Sequence, residues 1–127
     1  MIEKKDKVKH CMIRSRDSFD EAIVLAKSKL WNGVANRLYY SCYYAVNALF
    51  IKEDLMVSGH KRINELCNEK LVLTNIISEK GNNVFKELSR FRQQDEFDGF
   101  VKFSSEQIEP LITETQKFIN EAEWALY

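Results

Sequence analysis

The sequence predicts an all-α protein, an antiparallel up-down bundle of four main helices with one short extra helix. Three observations carry that expectation. The 127 residues include only four Gly and one Pro, too few for the frequent turns of an all-β chain. Apolar residues recur three and four positions apart through long stretches, the spacing of one helical face. Two such stretches are separated only by Trp31, Asn32 and Gly33, and so short a connection makes neighbouring helices antiparallel. Hydrophobic residues at 45 % and charged ones at 30 % support a folded core rather than disorder, and residues 1–127 read as a single domain.

The first helix is expected from Lys5 to about Leu30, with Met12, Phe19, Ala22, Ile23, Ala26 and Leu30 at helical spacing. Asn32 is placed to cap the second helix, and Gly33 permits a tight turn. That second helix runs to about Glu53 and carries two faces. Ala35, Leu38, Tyr39, Cys42, Val46, Leu49 and Phe50 form an ordinary core face, while Arg37, Tyr40, Ser41, Tyr44 and Asn47 line up where a solvated helix would show Lys and Glu. A third, shorter helix follows from His60 through Lys70, burying Ile63, Leu66 and Cys67. Leu71 to Ile77 reads as a helical extension or a short separate turn ending at Gly81, Asn82 and Asn83. From Val84 the pattern Val84, Phe85, Leu88, Phe91 resumes a helix that loosens at Gly99, and Asp98 to Phe103 form an aromatic-anchored loop. Ser104 caps the last helix, and Gln107 completes a capping box. Pro110 lies near enough to that start to be tolerated, or delays it. Ile108, Leu111, Ile112, Thr115, Phe118, Ile119, Ala122 and Leu126 form the buried stripe.

Nineteen basic and nineteen acidic residues balance, so the chain as a whole has no electrostatic claim on nucleic acid or anionic membrane, and RNA binding requires a local patch. Cys11, Cys42 and Cys67 lack paired spacing and read as reduced core thiols. No leader-like or membrane-spanning run occurs, which leads to the expectation of a cytoplasmic protein. His10 and His60 lie far apart, no thiol or carboxylate cluster has zinc-like spacing, and no Ser-His-Asp or P-loop motif is found, so neither metal nor cofactor is expected.

Three constellations carry polar chemistry. Arg37, Tyr40, Tyr44 and Asn47 can take phosphate and stack on a base, or pack in a helix or dimer contact. Ser58, Gly59, His60, Lys61 and Arg62 form either an anion cradle with a proton-exchanging histidine or a solvated cap. The segment Arg90 to Asp98 is either a solvated helix end or a charged site.

Taken together, NRLYYSCYYAVNALF, SGHKRINEL, ELSRFRQQDEFDGF and the capped last helix resemble the HEPN superfamily, in particular its small stand-alone bacterial and archaeal members. The resemblance implies a homodimer whose late-helix motifs meet at a shared cleft. It also implies metal-independent RNA cleavage of toxin or defence type, beside an MNT-type nucleotidyltransferase antitoxin. Arg92 would stabilise charge developing on the phosphate, and a histidine four to six residues later would handle the proton of the ribose 2′-hydroxyl. Here that histidine is absent. Asp95 or Asp98 could replace it only with a raised pKa, and His60 only if the fold brings its turn beside Arg92. Arg37, Tyr40, Tyr44, Asn47 and Lys61 are then the expected substrate contacts. The other expectation is a non-catalytic module that binds a nucleotide or the nucleotidyltransferase.

Overall fold

The computed structural model describes residues 2–127. Helices α1 (Lys4–Lys27), α2 (Trp31–Lys52), α4 (Glu79–Phe97) and α5 (Ser105–Leu126) are the four main elements, and α3 (His60–Cys67) is the short one, extended by a single π turn at Asn68–Val72. There is no strand among the described residues. None of the described helices is long and apolar enough to cross a membrane.

The bundle is built around α2, half of whose 22 residues are buried. It packs on α1, α4 and α5, so its apolar residues spread beyond one stripe. Against α1 the two backbones approach closely at Ser15 and Ser41, both small and buried. Ser15 Oγ donates to the Ser41 carbonyl at 2.7 Å, and Ser41 Oγ donates to the Ser15 carbonyl at 2.8 Å. Ser41 therefore belongs to the core and not to the polar face on which its spacing set it. Tyr39 stacks on Phe85 of α4 with ring centroids 5.6 Å apart, and Phe85 meets Phe118 of α5 at 6.1 Å.

Two helix starts differ from the expectations. Helix α4 begins at Glu79, with Ser78 Oγ accepting from the Gly81 amide at 3.0 Å. Gly81, Asn82 and Asn83 thus lie inside the helix. Gly81 and Asn82 are buried, and a Cβ on Gly81 would stand 3.2 Å from Phe118 Cδ2 and from Ile77 Cγ2, so tertiary packing overrides their low helix propensity. Helix α2 begins at Trp31 with no side-chain cap. Asn32 instead reaches across the bundle. Its Nδ2 donates to Asp95 Oδ1 and to the Val101 carbonyl, both at 3.0 Å, and its Oδ1 accepts from the Phe103 amide at 2.9 Å. These bonds, with Phe103 buried against Phe91 at 4.8 Å, pin the loop between α4 and α5.

The Ser104–Gln107 capping box is present, and α5 runs through the exposed Pro110 from Ser105 without a later start. Cys42 and Cys67 are buried thiols, whereas Cys11 is only half-buried; Leu111, Ile112 and Leu126 are half-buried at the edge of the core. Burial pushes the Cys67 thiol up to about 12, which keeps it protonated and unreactive.

Candidate functional site

The helix pair α2 and α4 and the first turn of α3 enclose the polar cluster of most chemical interest. Gly59, at φ 88°, turns the chain into α3, a backbone angle that suits glycine, and sets His60 over α2. There the Tyr39 hydroxyl lies 2.8 Å from His60 Nδ1. Tyr40 and Tyr43 flank the same imidazole, with centroids at 5.8 and 4.7 Å. Arg92 comes from α4 over the ring of Tyr39, its guanidinium carbon 4.9 Å from the ring centroid.

Arg92 is buried, with 7 % of its side chain exposed. Its one ion pair among the described residues is Nη1 to Glu96 Oε2 at 2.8 Å, one turn further along α4, and its Nε–H has no partner there. A buried guanidinium with so few acceptors is costly. A buried, incompletely bonded charge of this kind marks Arg92 as a candidate functional group.

The electrostatics follow from these neighbours. Burial lowers the His60 pKa, Arg92 lowers it further, and Glu96 opposes them, so the ring is neutral at neutral pH and able to accept a proton. Burial pushes the Tyr39 phenol well above its ordinary value, with Arg92 pulling the other way. The hydroxyl stays protonated and can donate to Nδ1 or accept from it.

From His60 an aromatic ridge runs along α2. Tyr40, Tyr43 and Tyr44 contact one another with centroids 5.7 to 6.2 Å apart. Arg37 lies over Tyr40 at 5.1 Å, held by Asn36 Oδ1 at 2.6 Å from Nη2 and by Glu21. Arg14 of α1 lies over Tyr44 at 4.9 Å and donates to its hydroxyl at 2.8 Å. The ridge thus sets guanidinium groups over half-buried aromatic rings, an arginine–aromatic pairing that single-strand binders also use.

The structure gathers His60, Arg92, Tyr40 and the flanking Tyr44 and Arg37 into one region. Other candidates stand apart. Asp95 is engaged by Asn32 at the pinned loop, and Asp98 Oδ1 accepts from the Phe100 amide at 3.1 Å. Asn47 donates to the Tyr43 carbonyl of its own helix at 2.8 Å, and Lys61 is exposed on α3. Tyr39, Tyr43, Glu96 and Arg14 complete the region without being singled out by sequence pattern. Periodicity assigns Tyr39 to the core, where its ring is, but says nothing of its hydroxyl. Glu96 carries the one legible signal, a carboxylate four residues after an arginine on one helix.

Two surface hollows of about 590 and 600 Å³ lie elsewhere, one beside Trp124 and one between Trp31 and Phe100. Neither is lined by Arg92 or His60. The perturbed histidine and the buried arginine both lie outside these hollows, which makes the polar cluster the better candidate site. No group of three or more His, Cys, Asp or Glu side chains placed to hold a metal occurs among the described residues.

Comparison with known proteins adds a family. The family described as HEPN domain matches residues 8–124. A UPF0332 protein of Thermotoga maritima is 24 % identical over 123 residues, covering 97 % of this chain and 93 % of that protein. A protein of Methanocaldococcus jannaschii named "Putative toxin MJ0142" is 22 % identical over 107 residues, covering 84 % and 73 %.

Proposed function

From the HEPN domain family, to which this chain belongs, we propose a metal-independent RNA endonuclease of toxin or defence type, with Arg92 and His60 as its catalytic pair. The observation that carries this reading is the junction at Tyr39, whose ring lies beneath a buried, under-bonded arginine and whose hydroxyl meets a histidine able to take a proton. His60 takes the role that the late motif leaves empty.

In this mechanism the imidazole removes the proton of a ribose 2′-hydroxyl, with Nδ1–H donating to Tyr39 and Nε2 acting as the base. The 2′-oxygen attacks the adjacent phosphorus, and the bond to the 5′-oxygen breaks. The products are a 2′,3′-cyclic phosphate and a 5′-hydroxyl that takes its proton from solvent. Arg92 stabilises the extra negative charge on the phosphorane-like transition state. Tyr40, Tyr43 and Tyr44 stack the neighbouring bases, and Arg37 and Arg14 contact the backbone.

The working unit is a homodimer. Phe97 and Phe100, 86 % and 98 % exposed just beyond Glu96, supply apolar surface at the end of α4 for a second copy. The partner in the cell is an MNT-type nucleotidyltransferase acting as antitoxin, and the site of action is the cytoplasm. The test is cleavage of single-stranded RNA in chelator by the wild type, Arg92→Ala and His60→Ala. Cyclic-phosphate ends are expected from the wild type alone, and equal cleavage by Arg92→Ala overturns the assignment. The second reading is a non-catalytic module that binds a nucleotide or the nucleotidyltransferase. Glu96 favours it, because it already neutralises Arg92, and that reading predicts saturable binding without turnover.

A further inference from the structure

The arrangement around Arg92 is that of an anion site already occupied by the chain's own carboxylate. The guanidinium is buried, while Glu96 remains 49 % exposed at its outer edge. Glu96 belongs to the last turn of α4, where the helix ends at Phe97 and the Asp98 amide bonds back to the Gln94 carbonyl at 2.8 Å. It can leave by side-chain rotation alone, without breaking a helical hydrogen bond. The Nε–H is shut off from solvent and has no partner among the described residues, so an incoming oxyanion takes the place that Glu96 vacates at Nη1. A buried arginine requires a counter-charge in the free protein, and a half-exposed side chain satisfies that requirement reversibly.

We propose that Glu96 is an internal competitor for the phosphate of single-stranded RNA at Arg92, displaced when the strand binds, and thereby sets the affinity of the site. This rests on the reading that Arg92 receives RNA phosphate. Glu96 is on this account a positioning residue acting through Arg92, holding the guanidinium in place while the site is empty.

The test is equilibrium binding of a fluorescent single-stranded 2′-O-methyl oligoribonucleotide, which cannot be cleaved through its 2′-oxygen. The proteins compared are the wild type, Glu96→Gln, Arg92→Met and the double variant. Glu96→Gln is close to isosteric and keeps an acceptor for Arg92, and it is expected to bind about threefold to tenfold more tightly. Structural damage would not tighten binding. The gain must disappear in the Arg92→Met background, as coupling between the two residues requires. Unchanged or weaker binding by Glu96→Gln overturns the proposal. So does an equal gain with Arg92 absent, which would mean only a general loss of negative charge. Wild-type affinity in Arg92→Met alone, or no binding by any of the four, removes the RNA-phosphate reading of Arg92 instead.

Discussion

Replacing Arg92 by methionine is expected to leave the protein at least as stable as the wild type while abolishing RNA cleavage. The guanidinium loses nearly all its hydration on folding, with 7 % of the side chain exposed, and receives one carboxylate contact in return while its Nε–H is unmatched. Desolvation of such an ion amounts to several kcal/mol, and a single pair offsets it incompletely. Methionine preserves most of the aliphatic packing and places a thioether near the Tyr39 ring, 4.9 Å from the present guanidinium carbon. Glu96, half-exposed, returns to water at little loss. The expected change is between about 0 and 2 kcal/mol of stabilisation, or roughly 3–5 °C in Tm for each kcal/mol in a domain of this size. Arg92→Ala lacks the packing as well and is expected to fall about 1–3 kcal/mol below the methionine variant. Urea titration with the slope held constant measures both. A loss above about 2 kcal/mol in Arg92→Met would show that Arg92 is a stabilising structural ion. That result would remove the argument that marks it as a candidate functional group.

The pH dependence of stability isolates His60. Its proton affinity is lower in the folded state, so the unfolded chain takes up the proton first as pH falls below about 6.5. The stability that neutral His60 contributes is therefore present above that pH and lost as pH falls towards the folded value. His60→Asn should flatten this part of the curve, measured as urea midpoints from pH 5 to 8, and an unchanged difference between the two proteins across that range would contradict the assigned direction. At the close contact of α1 and α2, Ser41→Ala should cost about 1 kcal/mol through its hydrogen bonds. Ser41→Leu should cost roughly 2–4 kcal/mol because the backbones must separate, and thermal melts of the two variants test that order. Asn32→Ala removes three bonds to α4 and the following loop. It should reduce stability by about 1–3 kcal/mol and make residues 98–103 a preferred proteolytic cut; protection equal to wild type would show that the buried Phe103 alone holds the loop.

What depends on neighbours a few residues away was legible in the chain alone. Apolar spacing marked the four long helices and the short one, the Ser104–Gln107 box located the start of α5, and the late Arg92 stood out within a recognisable motif. Local rules also misplaced particular residues where distant contacts prevail. Gly81 and Asn82 read locally as a break, yet both are buried inside α4, where α5 comes so close to Gly81 that its lack of a side chain is useful. Asn32 looked like a cap but bonds to groups 63 to 71 residues away. Ser41 shared a helical face with Arg37 and Tyr44, yet it is buried because α1 covers that part of α2. The site itself belongs to this second class. Tyr39 and His60 are 21 residues apart, and Arg92 comes from a third helix. Their meeting follows from how the helices pack, because a helical period fixes which face a side chain occupies and leaves open what lies opposite it. Tertiary structure alone brought a proton-accepting histidine to the arginine whose expected partner is missing from its own helix.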